Sequence, residues 1–172
     1  MFNLSELKQE ATNNNRYERR LEKLISDGKQ VDHVKTVVES AVTNVSNNQR
    51  SFVIYGEPQS GKTEMMIALT AKLLDVGFKL VIVLLNDSVQ LLGQNLERFQ
   101  RSGISPSPKK FSEVLPPEVT IGDHQWVIFC KKNSKDLQKL LDKIAGHPKR
   151  VIIDDEADYA TPNSQINRNK KS

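Results

Sequence analysis

Cysteine and histidine are scarce in this sequence of 172 residues. Cys130 is the only cysteine, so no disulfide can form within the chain and a metal site built on thiolates is not expected. The three histidines, His33, His124 and His147, are scattered, so a zinc cluster is not expected either. No Cys–His pair and no Ser–His–Asp set stands out as a candidate for nucleophilic catalysis.

Long apolar runs are also missing. The first ten residues, MFNLSELKQE, lack the apolar core of a signal peptide, and no stretch reaches membrane-spanning length. Charged residues make up 27% of the chain and hydrophobic residues 37%, which is ordinary for a soluble domain with a buried core. The formal net charge of +4 is compatible with a nucleic-acid partner without requiring one. We expect a cytoplasmic protein that does not bind membranes.

A glycine-rich segment at residues 51–63, SFVIYGEPQSGKT, is the first chemical motif. Its spacing, G-x-x-x-x-G-K-[ST], is that of a phosphate-binding loop, in which glycines let successive backbone N–H groups face a phosphate. We predict that Lys62 reaches the β- and γ-phosphates of ATP and that the Thr63 hydroxyl is a ligand of Mg²⁺. The helix expected after the loop directs its positive N-terminus at the same anion. The predicted ATP-binding residues are Gly56, Glu57, Pro58, Gln59, Ser60, Gly61, Lys62 and Thr63.

Four acidic residues near the C-terminal end form the second motif. Residues 151–153 are an apolar strand candidate, and the sequence Asp-Asp-Glu-Ala-Asp follows it directly. In P-loop enzymes such a strand delivers an acid that helps to hold Mg²⁺, beside a group that positions the attacking water. We assign Asp155 to the metal and Glu156 as the general base or water-orienting group, with Asp154 and Asp158 in support. Lys62 and Glu156 are therefore the predicted catalytic residues.

Strand and helix patterns alternate along the chain. Such alternation predicts an α/β fold with a mostly parallel sheet, right-handed crossovers and helices on both faces, the architecture of a three-layer P-loop NTPase. Strands are predicted at residues 52–55, 79–85, 125–130 and 151–153, of which the last three are expected to be buried, the strand at 79–85 on both faces. Helices are predicted at residues 16–26, 30–46, 64–74, 89–101 and 136–144, the last capped by Ser134.

Two segments lie outside this alternation. Residues 1–50 are polar and helix-leaning, and we expect a helical arm that covers the sheet, with an adenine contact as the alternative. Residues 103–124 contain four prolines and predict a long surface excursion with a short strand near 119–121. The expected organisation is a helical extension at 1–50, an ATPase domain at 51–160 and a polar tail at 161–172.

The two motifs together resemble those of the first RecA-like domain of superfamily-two helicases and translocases. In that family the loop at residues 56–63 is motif I and the acids at 155–158 are motif II. Residues 86–94 occupy the place of motif Ia, which contacts the nucleic-acid backbone, so the resemblance implies such contacts for Asn86 and Gln94.

A closer resemblance covers most of residues 51–167. The sequences QSGKT at 59–63, KKN at 131–133 and IDDEAD at 153–158 are similar to those of the Z-one domain family. These bacterial proteins are predicted endonucleases encoded with restriction-modification and phage-defence systems. The resemblance implies a bacterial, cytoplasmic enzyme that processes DNA, and Lys131, Lys132 and Asn133 are candidates for phosphate contact.

The resemblance also implies a second RecA-like domain, because such motors bind the nucleotide between two lobes and the second lobe supplies arginine fingers. We therefore expect this chain to be an N-terminal fragment or truncated product with weak turnover. Two alternatives stay open. One is the first lobe of a DEAD-box RNA helicase, for which Gln49 is the only adenine-motif candidate, and the other is a non-catalytic nucleotide-binding module.

Overall fold

A parallel sheet of four strands organises the molecule in the computed structural model, which describes residues 15–56, 61–147 and 150–157. The strands are β1 (Leu80–Leu85), β2 (Lys109–Lys110), β3 (Trp126–Lys131) and β4 (Arg150–Asp154), in the order β2-β3-β1-β4. The helices are α1 (Arg16–Ser26), α2 (Asp32–Ser46), α3 (Lys62–Asp75), α4 (Val89–Arg101), α5 (Phe111–Val114) and α6 (Ser134–Lys143).

Strands β1 and β3 confirm the predictions made from continuous apolar runs. Five of the six β1 residues are buried, and Leu80 lies opposite Trp126 of β3 on one side and Arg150 of β4 on the other. A run that is apolar at every position suits a strand covered on both faces. Their carboxyl ends lie at one edge of the sheet, where ligands of parallel α/β folds bind.

Strand β4 is an edge strand among the described residues, and the prediction that it is buried was wrong. Its side chains alternate between half-buried and exposed, and the side chain of Ile152 is 52% exposed. Val151 and Ile153 pack on the core. An apolar triplet does not reveal whether both of its faces will be covered.

The strand predicted at residues 52–55 is absent, because residues 51–56 have no ladder hydrogen bonds and no strand assignment. The alternation expected of a strand is nevertheless visible. Phe52 and Ile54 pack on the core, whereas Val53 and Tyr55 are each 84% exposed. The apolar pattern therefore set which side chains face inward, but no described part of the chain pairs with this segment through its backbone.

Helices cover both faces of the sheet, as predicted. One apolar cluster joins α1, α2, α3 and α4 to one face of the sheet. A second cluster joins α6 and the segment before β3 to the other face, and it includes Val114, Ile121 and Leu140. This α/β architecture with a parallel sheet is that of a RecA-like P-loop domain.

The excursion before β3 differs from the prediction in two respects. No strand forms at residues 119–121, and the short strand of this region is β2, which pairs with Ile128 and Phe129 of β3. Its two lysines are exposed. The excursion is also not purely a surface segment, because Val114 and Ile121 are buried and close the second core cluster.

The described N-terminal helices, α1 and α2, contact mainly another helix, α3. Asn133, and not Ser134, caps α6. Within the described ranges, no helix has the length and apolar character needed to cross a membrane.

Candidate functional site

The second half of the predicted phosphate loop leads directly into α3. Gly61 has φ 79°, a left-handed conformation that suits glycine, and Lys62 is the first residue of the helix. Lys62 and Thr63 thus lie in the first turn, where backbone N–H groups have no partner within the helix. Gly56 is half-buried. Glu57, Pro58, Gln59 and Ser60 lie outside the described residues.

Helix α3 is held at both ends by α1. At its start, the Glu64 carboxylate forms an ion pair with Arg20, and Lys29 lies 3.4 Å from the same group. At its end, Asp75 accepts hydrogen bonds from Arg16 at 3.1 Å and from the backbone N–H of Tyr17 at 3.0 Å. The N-terminal arm therefore fixes the axis of the helix that carries Lys62, a role that helical periodicity did not indicate.

The acidic residues form a turn at the carboxyl end of β4. The backbone N–H of Asp155 donates to the Leu84 carbonyl at 3.0 Å, so the ladder continues one residue beyond the strand. Glu156 then adopts φ 54°, which is uncommon for a residue with a side chain. Asp155 is half-buried and Glu156 is exposed. Asp158 lies outside the described residues.

The charge of Lys62 acts on Asp155. Burial raises the pKa of the Asp155 carboxyl above its usual range, and the ammonium of Lys62 opposes that shift. The backbone N–H of Glu156 and the charge of Lys132 also oppose it. The structure thus brings a phosphate-loop residue and an acidic-motif residue, 93 positions apart in the sequence, within electrostatic reach.

Lys132 lies under the acidic turn. Its Nζ is 2.5 Å from the Asp154 carboxylate, 2.6 Å from the Asp155 carbonyl oxygen and 3.1 Å from the Glu156 carbonyl oxygen. The sequence prediction made this lysine a nucleic-acid contact, but its amine is engaged within the molecule.

Asn86 also contacts the acidic turn. It follows β1, the strand beside β4, and its side-chain amide donates to the Glu156 carboxylate. The residue assigned from motif Ia to nucleic acid therefore contacts the predicted general base. Gln94, the other motif Ia candidate, is exposed on α4 and lies apart from this group in the described contacts.

The side chains of the other two residues of the KKN sequence contact Asp136 at the start of α6. Asn133 accepts a hydrogen bond from the Asp136 backbone N–H at 2.9 Å, which caps the helix. Lys131 lies 2.8 Å from the Asp87 carboxylate and 3.8 Å from that of Asp136. Hydrogen bonds from Lys131 and then from Asn133 lower the pKa of Asp87, and the bond to Asp87 raises the pKa of Lys131.

An arginine that the sequence did not single out approaches the proposed metal ligand. Nη1 of Arg98, in the last turn of α4, lies 3.4 Å from the Thr63 hydroxyl oxygen. Arg98 is one of several basic residues on an amphipathic helix, so no local pattern distinguishes it. Its position relative to Thr63 depends on how α4 packs beside α3.

The residues present suit Mg²⁺. In the described ranges, no three His, Cys, Asp or Glu side chains are grouped to hold a metal ion. Mg²⁺ in nucleotide sites needs no such group, because one or two protein oxygens and the phosphates hold it. Thr63 and Asp155 offer a hydroxyl and a carboxylate, both hard oxygen donors.

The chain is similar to one described protein family over nearly all of its length. The family model for the type III restriction enzyme, res subunit (ResIII) matches residues 11–170. That domain is an N-terminal domain of superfamily-two helicases, and it implies a helicase-like, ATP-binding motor domain of restriction enzymes. Searches of curated proteins and of solved structures found no match. The narrower Z-one resemblance stays a prediction.

Proposed function

This chain belongs to the family of type III restriction enzyme res subunits, and we propose that it binds and hydrolyses ATP with Mg²⁺ as the first motor lobe of a DNA-processing enzyme. The proposed enzyme acts in restriction or phage defence in the bacterial cytoplasm. Its ATPase domain spans residues 51–160, after the helical extension at 1–50 and before the polar tail at 161–172. A second RecA-like domain completes the nucleotide site.

The observation that carries this proposal is the match of the family model to residues 11–170, which contain both motifs. Lys62 begins the helix after a phosphate-loop sequence, and Asp155 follows a parallel strand at the carboxyl edge of the sheet. A cation directed at phosphates and an acid directed at their metal need to face one space, since both act on the same triphosphate.

Each residue then has a distinct task. The N–H groups of residues 56–63 and the N-terminus of α3 bind phosphate oxygens, and Lys62 offsets charge on the β- and γ-phosphates. Thr63 and Asp155 hold Mg²⁺, which when bound neutralises negative charge between those phosphates. Glu156 orients the attacking water or accepts its proton.

The proposed contact with DNA is made by the exposed side chain of Gln94. Among the candidates, Gln94 is exposed and available to a backbone phosphate. The side chains of Asn86, Lys131, Lys132 and Asn133 have partners inside the molecule. A salt-dependent affinity for duplex DNA that Gln94→Ala weakens would support this contact.

ATP binding tests the proposal directly. With a fluorescent ATP analogue and Mg²⁺, we expect the wild-type chain to bind and Lys62→Ala to weaken binding at least about tenfold, the effect of removing one well-placed charged hydrogen bond. Lys139→Ala, an exposed lysine on α6, is the matched control and should bind like the wild type. A wild-type chain that fails to bind at millimolar ATP–Mg²⁺ would refute the proposal.

The DEAD sequence at residues 155–158 favours a second candidate, the first lobe of an RNA helicase. ATP turnover stimulated by RNA more than by DNA would decide for it.

The third candidate is a non-catalytic nucleotide-binding module. To distinguish it from an ATPase, the rate of ATP hydrolysis by Glu156→Gln is compared with that of the wild type in a single-turnover assay with excess protein. An unchanged rate would remove Glu156 from catalysis and favour the module.

A further inference from the structure

We propose that Lys132 is a positioning residue that holds the acidic turn, and through it Asp155 and Glu156, in place for nucleotide chemistry. This inference rests on the proposed ATPase function, and it assigns Lys132 to the nucleotide site in place of the nucleic-acid contact predicted from its sequence. Lys132 is not assigned a contact with ATP.

The amine of Lys132 meets three acceptors of the turn. These are the Asp154 carboxylate at 2.5 Å, the Asp155 carbonyl at 2.6 Å and the Glu156 carbonyl at 3.1 Å. An ammonium group has three N–H donors, so the set uses its whole capacity. The side chain is only 12% exposed, so this lysine is held against the turn and does not extend into solvent.

The position of Lys132 in the sheet explains why a long, positively charged side chain is needed. It follows β3, whereas the turn follows β4, and β1 lies between these strands. The Lys132 backbone N–H donates to the Leu85 carbonyl at 2.8 Å, which anchors the base of the side chain to β1. A long side chain with a compact charged end can then span the width of β1 to reach the turn.

The contacts leave the proposed reacting groups available. Lys132 contacts the carboxylate of Asp154 but only the backbone carbonyls of Asp155 and Glu156. The Asp155 carboxylate remains under the influence of Lys62. Lys132 thus fixes the backbone from which both acidic side chains project. It also supplies a positive charge that lessens repulsion among the three neighbouring carboxylates.

Lys131 provides a matched comparison, because it is the same residue type one position away. Its ammonium group pairs with Asp87 and Asp136 near the start of α6, away from the acidic turn. Lys131 is the last residue of β3 and Lys132 follows the strand, and the two ammonium groups share no partner among the described contacts. If the two lysines bound a nucleic-acid phosphate together, their loss would have similar effects.

The test compares Lys132→Met with Lys131→Met and Lys132→Arg in the chain. Hydrogen exchange of a peptide spanning residues 150–157, without nucleotide, should be roughly tenfold faster in Lys132→Met and unchanged in Lys131→Met. Binding of the fluorescent ATP analogue should need about three- to tenfold more Mg²⁺ in Lys132→Met, with binding in EDTA unchanged. Lys132→Arg, which retains the charge, should recover most of both properties.

The outcomes separate the positioning role from its alternatives. Equal effects of Lys132→Met and Lys131→Met would overturn the positioning role. Faster hydrogen exchange across the whole chain in Lys132→Met would also overturn it, because such exchange indicates general destabilisation. A normal Mg²⁺ requirement would also overturn it. If the wild type bound no ATP but the local exchange difference persisted, the hold on the turn would stand and the ATPase proposal would fail.

Discussion

The two parts of the proposed nucleotide site are held in place by different forces. Helix α3, which carries Lys62 and Thr63, has eight buried residues and packs against α1 and α2. The acidic turn follows an edge strand in which every second residue is exposed, and side chains from neighbouring strand ends hold it by polar contacts. Apolar burial contributes a large, non-directional stabilisation, whereas hydrogen bonds contribute less but set direction.

This difference suits the two proposed tasks. A phosphate-binding helix has to keep its N-terminus aimed at a large anion, and a firmly packed helix does so. A metal ligand and a water-orienting acid have to be placed to a fraction of an ångström, which directional contacts achieve. Mutations should therefore act mainly on stability near α3 and mainly on function near the turn.

The largest expected effect is on the free energy of unfolding, and it should differ between two isoleucines. Ile67 on α3 is 1% exposed, and Ile67→Ala should lower the free energy of unfolding by about 2–5 kcal/mol, because it leaves a cavity in a closed core. Ile152 on β4 is 52% exposed, and Ile152→Ala should cost less than about 1 kcal/mol. Denaturant unfolding measures both. Similar losses would contradict the contrast between the helix and the edge strand.

A smaller effect, on turnover, is expected at Asn86. Removing its hydrogen bond to Glu156 with Asn86→Ala should slow single-turnover ATP hydrolysis about three- to tenfold, because the carboxylate loses its orientation. ATP binding should not change. Asn95→Ala is the control, since Asn95 bonds only to the Leu91 carbonyl of its own helix among the described contacts. A faster rate in Asn86→Ala would mean that the contact restrains Glu156.

The smallest effect concerns the ion pair of Asp87 and Lys131, near the start of α6. The folded-state pKa of Asp87 is lowered, so its contribution is fully present above the unfolded value of about 4 and is lost as the pH falls through the folded value. The folded-state pKa of Lys131 is raised, so its contribution is present below the unfolded value of about 10.4 and is lost as the pH rises through the folded value.

The pair should therefore stabilise between about pH 4 and 10.4. Thermal unfolding of wild type and Asp87→Asn should differ slightly at pH 7 and converge as the pH falls below the lowered folded-state pKa of Asp87. A difference that did not change with pH would contradict the assignment to this ion pair.

Much of the fold was predictable from local patterns. The apolar runs of β1 and β3 and the periodic pattern of α4 placed those elements correctly, because continuous burial and helical amphipathicity leave clear periods in the sequence. Residues 52–55 carried an equally clear strand pattern, yet no strand forms there in the described structure. A strand requires a hydrogen-bonded neighbour, and local pattern does not show whether one is present.

The candidate site was predictable in its parts but not in its connections. Spacing alone identified Lys62, Thr63, Asp155 and Glu156 as candidates. The partners that hold them come from distant positions: Arg20 for the start of α3, and Lys132 and Asn86 for the turn. Both turn partners had been assigned to nucleic acid, because a polar residue at a strand end looks the same whether it faces a ligand or a neighbouring strand.

The amino-acid order therefore specified the parallel α/β class and the residue types of the proposed nucleotide site, because both depend on local spacing. The three-dimensional arrangement decided which side chains contact each other at the strand ends. Lys131 and Lys132 are adjacent and chemically identical, yet one pairs near the start of α6 and the other lies under the acidic turn. Lys131 ends β3 and Lys132 follows it, and β1 lies between β3 and β4, an arrangement that the spacing of the residues does not show.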